Sequence, residues 1–187
     1  LPLAAAPPRL QATGATHDRS AVHGSIGNGM WVKICGIRDV DAAEQIVALK
    51  PDAVGLNFFA KSPRRVERST AAEISAILPP EVESVGLFVN HELNDVVDTA
   101  QQCRLTMIQL HGDEPPEFLA KLKSCSADVR ILRAFRVDDS GLAEVADYLA
   151  ECRKLDVCLA GCLIDARVDG EYGGTGHTAP WDLLADQ

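Results

Sequence analysis

Short runs of β-branched and other apolar residues alternate along the chain with segments whose apolar residues recur every three or four positions. The first pattern predicts buried strands and the second predicts amphipathic helices. The alternation starts at Met30 and continues almost to the end of the sequence. The predicted strands lie near residues 31–36, 53–59, 84–89, 105–110, 129–135 and 157–164. The predicted helices lie near 40–50, 91–103 and 141–153, with further helices beginning near Thr70, at Asp113 and around Pro180-Trp181.

Three helix starts carry capping signals. Asp39 precedes the first helix and is a candidate N-cap. Thr70 and Glu73 have the spacing of a capping box, which predicts the start of the second helix. Asp113 is the candidate cap of the fourth helix, because prolines follow it where a first turn would tolerate them.

Strict alternation of strand and helix without hairpin signals predicts a parallel sheet, either doubly wound or closed into a barrel. When every second residue is followed, the polar residues of each strand gather on one face near its carboxyl end. Side chains that point from many strands to a common interior are typical of a (β/α)8 TIM barrel, whereas a doubly wound sheet concentrates them at one switch point. We therefore predict the barrel. The residues assigned to its interior are Lys33 with Cys35, Asn57, Phe88 with Asn90, Gln109 with His111, and Leu163 with Asp165.

The predicted elements form six of the eight βα units of such a barrel. Residues 30–187 provide about 160 positions, fewer than the about 250 that are typical of this fold. We therefore expect an incomplete barrel domain over 30–187, without the phosphate-binding loops that usually follow strands seven and eight. Residues 1–29 have no helical or strand period and are interpreted as a disordered tail or leftover upstream sequence.

Composition and charge exclude several classes of function. Apolar residues make up 47% of the chain and the formal net charge is −9. Without a basic cluster, nucleic acid is not a predicted partner, and no apolar run approaches the ~20 residues of a membrane-spanning helix. The six cysteines form no CxxC pair and no zinc-ligand spacing, so reduced thiols in a cytoplasmic protein without a metal site are predicted. No dinucleotide fingerprint is present, and no cofactor is predicted.

Two residues are candidates for acid–base chemistry. Cys35 shares a strand face with Lys33, and an ammonium group beside a thiol favours the reactive thiolate. Asp165 lies at the end of the sixth strand, which would face the first strand across a barrel mouth. A thiolate and a carboxylic acid on opposite sides of a substrate form a general base and a general acid. The alternatives are that Cys35 is a small core residue and that Asp165 caps a helix.

Three further motifs could bind a substrate. Gln109 and His111 share a face at the end of strand four, next to a glycine that predicts a tight turn. Arg64, in the loop after strand two, could clamp a carboxylate or phosphate, although a solvated basic loop fits equally well. The glycine-rich stretch 173–176 could bring backbone amides close to an anion.

Together these motifs are similar to one family. The chain resembles phosphoribosylanthranilate isomerase of tryptophan biosynthesis from about Met30 to its end. The motifs that carry the resemblance are Lys33-Ile34-Cys35-Gly36-Ile37, Ser62-Pro63-Arg64, Val85-Gly86-Leu87-Phe88-Val89-Asn90, Gln109-Leu110-His111-Gly112, Leu163-Ile164-Asp165 and Gly173-Gly174-Thr175-Gly176.

The resemblance implies a (β/α)8 barrel that performs a cofactor-free Amadori rearrangement of a small-molecule phosphosugar–anthranilate substrate. It implies that Asp165 is the general acid at the furanose ring oxygen and that Cys35 is the general base at C2′. It also implies that Arg64 binds the anthranilate carboxylate. The remaining residues implied to bind substrate are Gln109, His111, Gly173, Gly174 and Gly176, the glycines at its phosphate end.

Two alternatives stay open. The chain could be an inactive fragment or a binding module of the same fold. It could also be another phosphosugar barrel enzyme, although metal-ligand histidines or a catalytic lysine–glutamate set at strand ends are not found. The sequence predicts no oligomeric state.

Overall fold

The computed structural model describes residues 30–138 and 141–166, in which five helices alternate with six strands. The predicted tail over 1–29, the glycine loop at 173–176 and the predicted last helix lie outside the described residues. The strands are β1 (Lys33–Cys35), β2 (Ala53–Asn57), β3 (Glu83–Phe88), β4 (Met107–Leu110), β5 (Arg130–Val137) and β6 (Gly161–Ala166). The helices are α1 (Val40–Val47), α2 (Arg68–Ile77), α3 (Leu93–Gln102), α4 (Pro116–Cys125) and α5 (Ala143–Lys154).

The six strands form one parallel sheet in the order of the chain, so each strand pairs with the next one. A doubly wound sheet would reverse its strand order at a switch point. Sequential pairing of parallel strands, each followed by a helix, is instead the arrangement of a (β/α)8 barrel. The described residues supply six strands of that barrel, and the predicted fold class is confirmed.

Two apolar layers lie on opposite faces of the sheet. The larger layer joins the helices to the outer face of the strands and includes Val54, Leu56, Phe88, Ile108 and Leu110, all 0% exposed. The smaller layer is a separate cluster on the inner face. It consists of Ala53, Val85, Met107 and Leu132, one residue from each of β2 to β5.

The inner layer closes the floor of the barrel and leaves the carboxyl ends of the strands for polar side chains. Alternation from this floor places Cys35, Gln109 and Asp165 on the inner face, as predicted.

For Phe88, the prediction of an inward direction is wrong. Its ring is fully buried on the outer face and stacks on Phe58, with the ring centroids 5.1 Å apart. Leu87 therefore faces inward. Asn90 does not continue the alternation, because its φ of 52° turns the backbone out of the strand.

One of the three predicted helix starts is confirmed and two are wrong. Asp39 does cap α1, since its side chain accepts a hydrogen bond of 2.7 Å from the backbone N–H of Ala42. The capping box at Thr70 is wrong, because α2 already begins at Arg68. Asp113 is also not a cap: the N-cap of α4 is Pro115, and the Asp113 carboxylate contacts Asn90 and Arg136 instead.

Candidate active site

The inner face of β1 carries the thiol and ammonium groups that the sequence placed there. Both sit over Gly55 of β2, whose missing side chain makes room for them. A Cβ at Gly55 would lie 2.7 Å from Sγ of Cys35 and 3.0 Å from Nζ of Lys33. The thiol is half-buried, so a substrate in the barrel mouth can reach it. Cys35 is thus not a filler of the outer apolar layer, which does not include it.

Arg64 lies beside the end of β1. Its aliphatic carbons pass over Gly36, where a Cβ would lie 2.7 Å from Cδ of the arginine. Gly36 also has a φ of 90°, which other residues rarely adopt. Glycine at this position therefore lets the chain turn and lets the guanidinium stem cross the strand end next to Cys35.

The loop that carries Arg64 is organised by the amide of Asn57, a buried residue at the end of β2. The Asn57 side chain donates to Oγ of Ser62 at 3.0 Å and accepts from the N–H of Phe59 at 2.9 Å. The Ser62 hydroxyl in turn accepts from the N–H of Arg64 at 3.2 Å. These bonds fix the backbone of Arg64, while its side chain remains exposed for a ligand.

Gln109, His111 and Asp165 form a polar cluster on the inner face. Nε2 of Gln109 lies 3.4 Å from Nδ1 of His111, and Nε2 of His111 lies 3.3 Å from Oδ2 of Asp165. The aspartate is therefore not a helix cap; it lies inside β6, which begins later than the predicted strand near 157–164.

Two atoms of this cluster are buried without a hydrogen-bond partner among the described residues. They are Oε1 of Gln109 and Nε2 of His111, and the latter lies within ion-pair range of the Asp165 carboxylate. Buried polar atoms in native proteins are nearly always paired. Oε1 of Gln109 therefore offers an acceptor to a substrate at the carboxyl end of β4.

The surroundings of His111 disfavour the protonated imidazole. Burial lowers the pKa of His111 below its ordinary value, and the guanidinium groups of Arg133 and Arg136 lower it further, while the Asp165 carboxylate acts in the opposite direction. A neutral imidazole has one donor and one acceptor nitrogen. His111 can therefore orient a polar substrate group without adding a positive charge to the site.

Arg136 is an inner-face residue that the sequence analysis missed. It is the register partner of Asp165 and forms an ion pair with Asp113. The predicted strand ended at 135, whereas β5 continues to Val137. The alternation of Leu132, Ala134 and Arg136 was the signal that could have found it.

The arrangement combines a thiol, a carboxyl group, a neutral imidazole and two guanidinium groups around one barrel mouth. It brings Arg64 against Gly36, the residue after Cys35, and it brings Gln109 and His111 next to Asp165. Such a set can bind an anionic substrate and transfer protons at two positions. The predicted ligands Gly173, Gly174 and Gly176 lie outside the described residues.

Residues 30–138 and 141–166 contain neither a metal-ligand cluster nor a helix that could span a membrane. No group of three or more His, Cys, Asp or Glu side chains in that part of the chain could hold a metal ion. None of its helices combines the length and the apolar character needed to cross a bilayer.

Comparison with known proteins places this mouth in one family. Residues 32–187 match the family profile of N-(5′-phosphoribosyl)anthranilate (PRA) isomerase. The chain belongs to the PRA isomerase family. The N-(5′-phosphoribosyl)anthranilate isomerase of Geobacter sulfurreducens is 45% identical over 156 residues, which cover 82% of this chain and 70% of that protein.

Solved structures of PRA isomerases share the fold. The crystal structure of phosphoribosyl anthranilate isomerase from Thermotoga maritima has a TM-score of 0.68 and 35% identity, and the match covers 83% of this chain and 70% of that chain. Another PRA isomerase was crystallised with reduced 1-(o-carboxyphenylamino)-1-deoxyribulose 5-phosphate. It is 32% identical with a TM-score of 0.61, and the match covers 74% of this chain and 66% of that chain.

Proposed function

We propose that the chain catalyses the Amadori rearrangement of N-(5-phosphoribosyl)anthranilate to 1-(2-carboxyphenylamino)-1-deoxyribulose 5-phosphate in tryptophan biosynthesis. The observation that carries the proposal is the location of Cys35 and Asp165 on the inner face of the sheet, at the carboxyl ends of β1 and β6. Membership of the PRA isomerase family supports the choice of substrate.

Asp165 is the proposed general acid. Its carboxyl group donates a proton to the furanose ring oxygen as the C1′–O bond breaks, and the anthranilate nitrogen supplies the electron pair that forms a protonated Schiff base. The 3.3 Å contact with His111 keeps the carboxyl group near the end of β4. The substrate ring would therefore lie over the polar cluster of Gln109, His111 and Asp165.

Cys35 is the proposed general base. Its thiolate takes the proton from C2′, the C–H electrons form the C1′–C2′ double bond, and the Schiff base becomes a neutral enolamine. Tautomerisation of the enolamine then gives the ketone product. Lys33 shares the pocket over Gly55 and places a positive charge beside the sulfur.

The two ends of the substrate need cationic or amide partners. Arg64 is proposed to bind the anthranilate carboxylate, because its guanidinium stem crosses the end of β1 next to Cys35. Gln109 and His111 are proposed to bind the sugar, Gln109 through its buried Oε1, which has no hydrogen-bond partner among the described residues. Gly173, Gly174 and Gly176 remain the proposed contacts for the phosphate.

The fluorescence of the anthranilate substrate provides a direct assay, because its decay on addition of the purified chain reports turnover. Cys35→Ala and Asp165→Asn should each reduce kcat by about 10²- to 10⁴-fold, the usual contribution of one general acid or base. Matched controls are Cys158→Ala and Asp156→Asn, which change an exposed thiol and an exposed carboxylate and should leave kcat within twofold.

A second measurement separates catalysis from binding alone. Titration with the reduced product analogue should give saturable binding that Arg64→Ala weakens. The same assays should be run on this chain extended to the length of its relatives. Binding without turnover in both forms would contradict the proposed enzyme and favour a binding module.

A further inference from the structure

A charged pair is buried on the outer side of the sheet, away from the proposed chemistry. Arg133 of β5 is 5% exposed and Glu114, in the loop before α4, is 4% exposed. Nη1 of Arg133 lies 3.4 Å from Oε2 of Glu114. Burying such a pair does not generally stabilise a fold, since apolar residues of similar volume often do as well or better. Its retention here calls for another explanation.

The pair holds the turn that follows β4 from two directions. Arg133 donates to the carbonyl oxygens of Leu110 at 3.0 Å and Gly112 at 2.9 Å. Glu114 accepts from the backbone N–H of Gly112 at 3.0 Å and from that of Asn90 at 2.7 Å. These contacts bind the peptide groups on both sides of residue 111.

Tyr148 of α5 completes the arrangement. Its hydroxyl donates to the backbone carbonyl of Glu114 at 2.8 Å, and its ring lies 5.2 Å from the guanidinium carbon of Arg133. The turn is thereby fixed to β5 and to α5 at once. Its backbone has little freedom to rotate the side chain that it carries inward.

That side chain is His111, which lies 3.3 Å from the carboxylate of Asp165. We propose that Arg133 and Glu114 are positioning residues for the active site: they lock the turn after β4 so that the His111 imidazole stays against Asp165. The inference rests on the proposed isomerase function only for its kinetic consequence, because the placement of the imidazole can be measured without turnover.

The first experiment is a cycle of substitutions read out by NMR titration of His111. Its resonance is assigned by its loss in His111→Gln. The charged groups that act on the imidazole are Asp165 on β6 and Arg133 and Arg136 on β5. Asp165→Asn should lower the pKa of His111 further, since a carboxylate in contact favours the charged imidazole.

In the Arg133→Met background the same Asp165→Asn change should shift the titration by less than half as much, because the imidazole is no longer held against residue 165. The matched control is Arg130→Met, which removes an arginine of the same strand whose partner is Glu83 at the sheet's amino end. That variant should preserve the full shift. An equal shift in all backgrounds would overturn the proposal.

Glu114→Gln and Tyr148→Phe keep the experiment decisive if Arg133→Met does not fold, as judged by circular dichroism. Both retain the shape of the side chain, and each should weaken the coupling in the same direction. If neither folded variant changes the shift that Asp165→Asn causes in the His111 titration, the positioning role is wrong.

Kinetics give the second readout. In the active enzyme, Arg133→Met and Glu114→Gln should lower kcat by about 10- to 100-fold, the effect of misplacing a reacting group by a fraction of an ångström to one ångström. KM should stay within threefold, because neither side chain is among the proposed substrate ligands. Loss of thermal stability with unchanged kcat in the folded fraction would indicate a purely structural role and would refute the inference.

Discussion

Replacing Gly55 by alanine tests whether close packing between β1 and β2 sets the position of the Cys35 thiol. The new Cβ would lie 2.7 Å from Sγ and 3.0 Å from both Cα of Cys35 and Nζ of Lys33. Favourable contacts between non-bonded carbon atoms lie at about 3.5–4.0 Å, so the overlap is roughly 0.5–1 Å. Rotation of the cysteine side chain relieves the contact with Sγ but not the contact with the backbone Cα, and β1 has to move.

The expected cost follows from this geometry. Overpacking of a filled core destabilises by about 1–3 kcal/mol. Alanine regains about 0.4–1 kcal/mol by restricting the unfolded chain, which leaves a net loss of about 1–2 kcal/mol. For a protein of this length, Tm should fall by about 2–8 °C. The kcat of the isomerase reaction should fall at least tenfold, because the base is displaced.

Gly161→Ala is the matched control. It also introduces a methyl group on the inner face, and like Gly55 the residue has no positive φ. Among the described residues, its Cβ would contact only Cδ2 of Leu132 at 3.2 Å, the far end of a flexible side chain. Thermal melts followed by circular dichroism and the fluorescence assay compare the two variants. If Gly55→Ala matches Gly161→Ala in Tm and in kcat, the packing of Cys35 on Gly55 does not determine the position of the proposed base.

Three further predictions concern stability. Phe88→Ala should lower the free energy of unfolding by about 3–5 kcal/mol in urea titrations, because it empties a fully buried site beneath Phe58; a loss below 1 kcal/mol would contradict its place in the core. Burial holds the pKa of His111 below 6.5. As the pH is lowered past 6.5, the unfolded chain therefore binds a proton that the folded chain does not. The free energy of unfolding decreases until the folded imidazole also titrates. His111→Gln should remove that slope from urea midpoints measured across the acid range, and an unchanged slope would refute the assignment. Burial raises the pKa of Tyr148 from 10.0 to about 12, so the free energy of unfolding should fall between those pH values as the unfolded tyrosine ionises. Tyr148→Phe should lack this loss of stability at alkaline pH. If the loss persists in that variant, Tyr148 is not its source.

Local patterns were enough to predict the parallel sheet and most of its inner face. Apolar runs and helical periods depend on neighbours in sequence, and the Asp39 cap is made three residues away. The inward direction of Cys35, Gln109 and Asp165 follows from counting every second residue back from the strand ends. These features required no knowledge of tertiary contacts.

The misses involve contacts between distant segments. The fourth helix did not use Asp113 as a cap because Arg136, 23 residues away, forms an ion pair with that carboxylate. Phe88 was assigned to the wrong face because its strand was followed through Asn90, where a left-handed backbone breaks the alternation. Nothing local distinguishes Arg133 from a surface arginine, since its burial depends on Glu114 and on the turn after β4.

The strand order has a consequence for how the protein is made. Register partners in adjacent strands lie only about 20 to 30 residues apart along the chain, so each pairing closes a short loop. A nascent chain that leaves the ribosome can therefore add each strand to the edge left by the one before it. On this route Cys35 is in place among the first pairings and Asp165 among the later ones, so the two proposed proton-transfer groups meet only after the intervening strands have assembled between them.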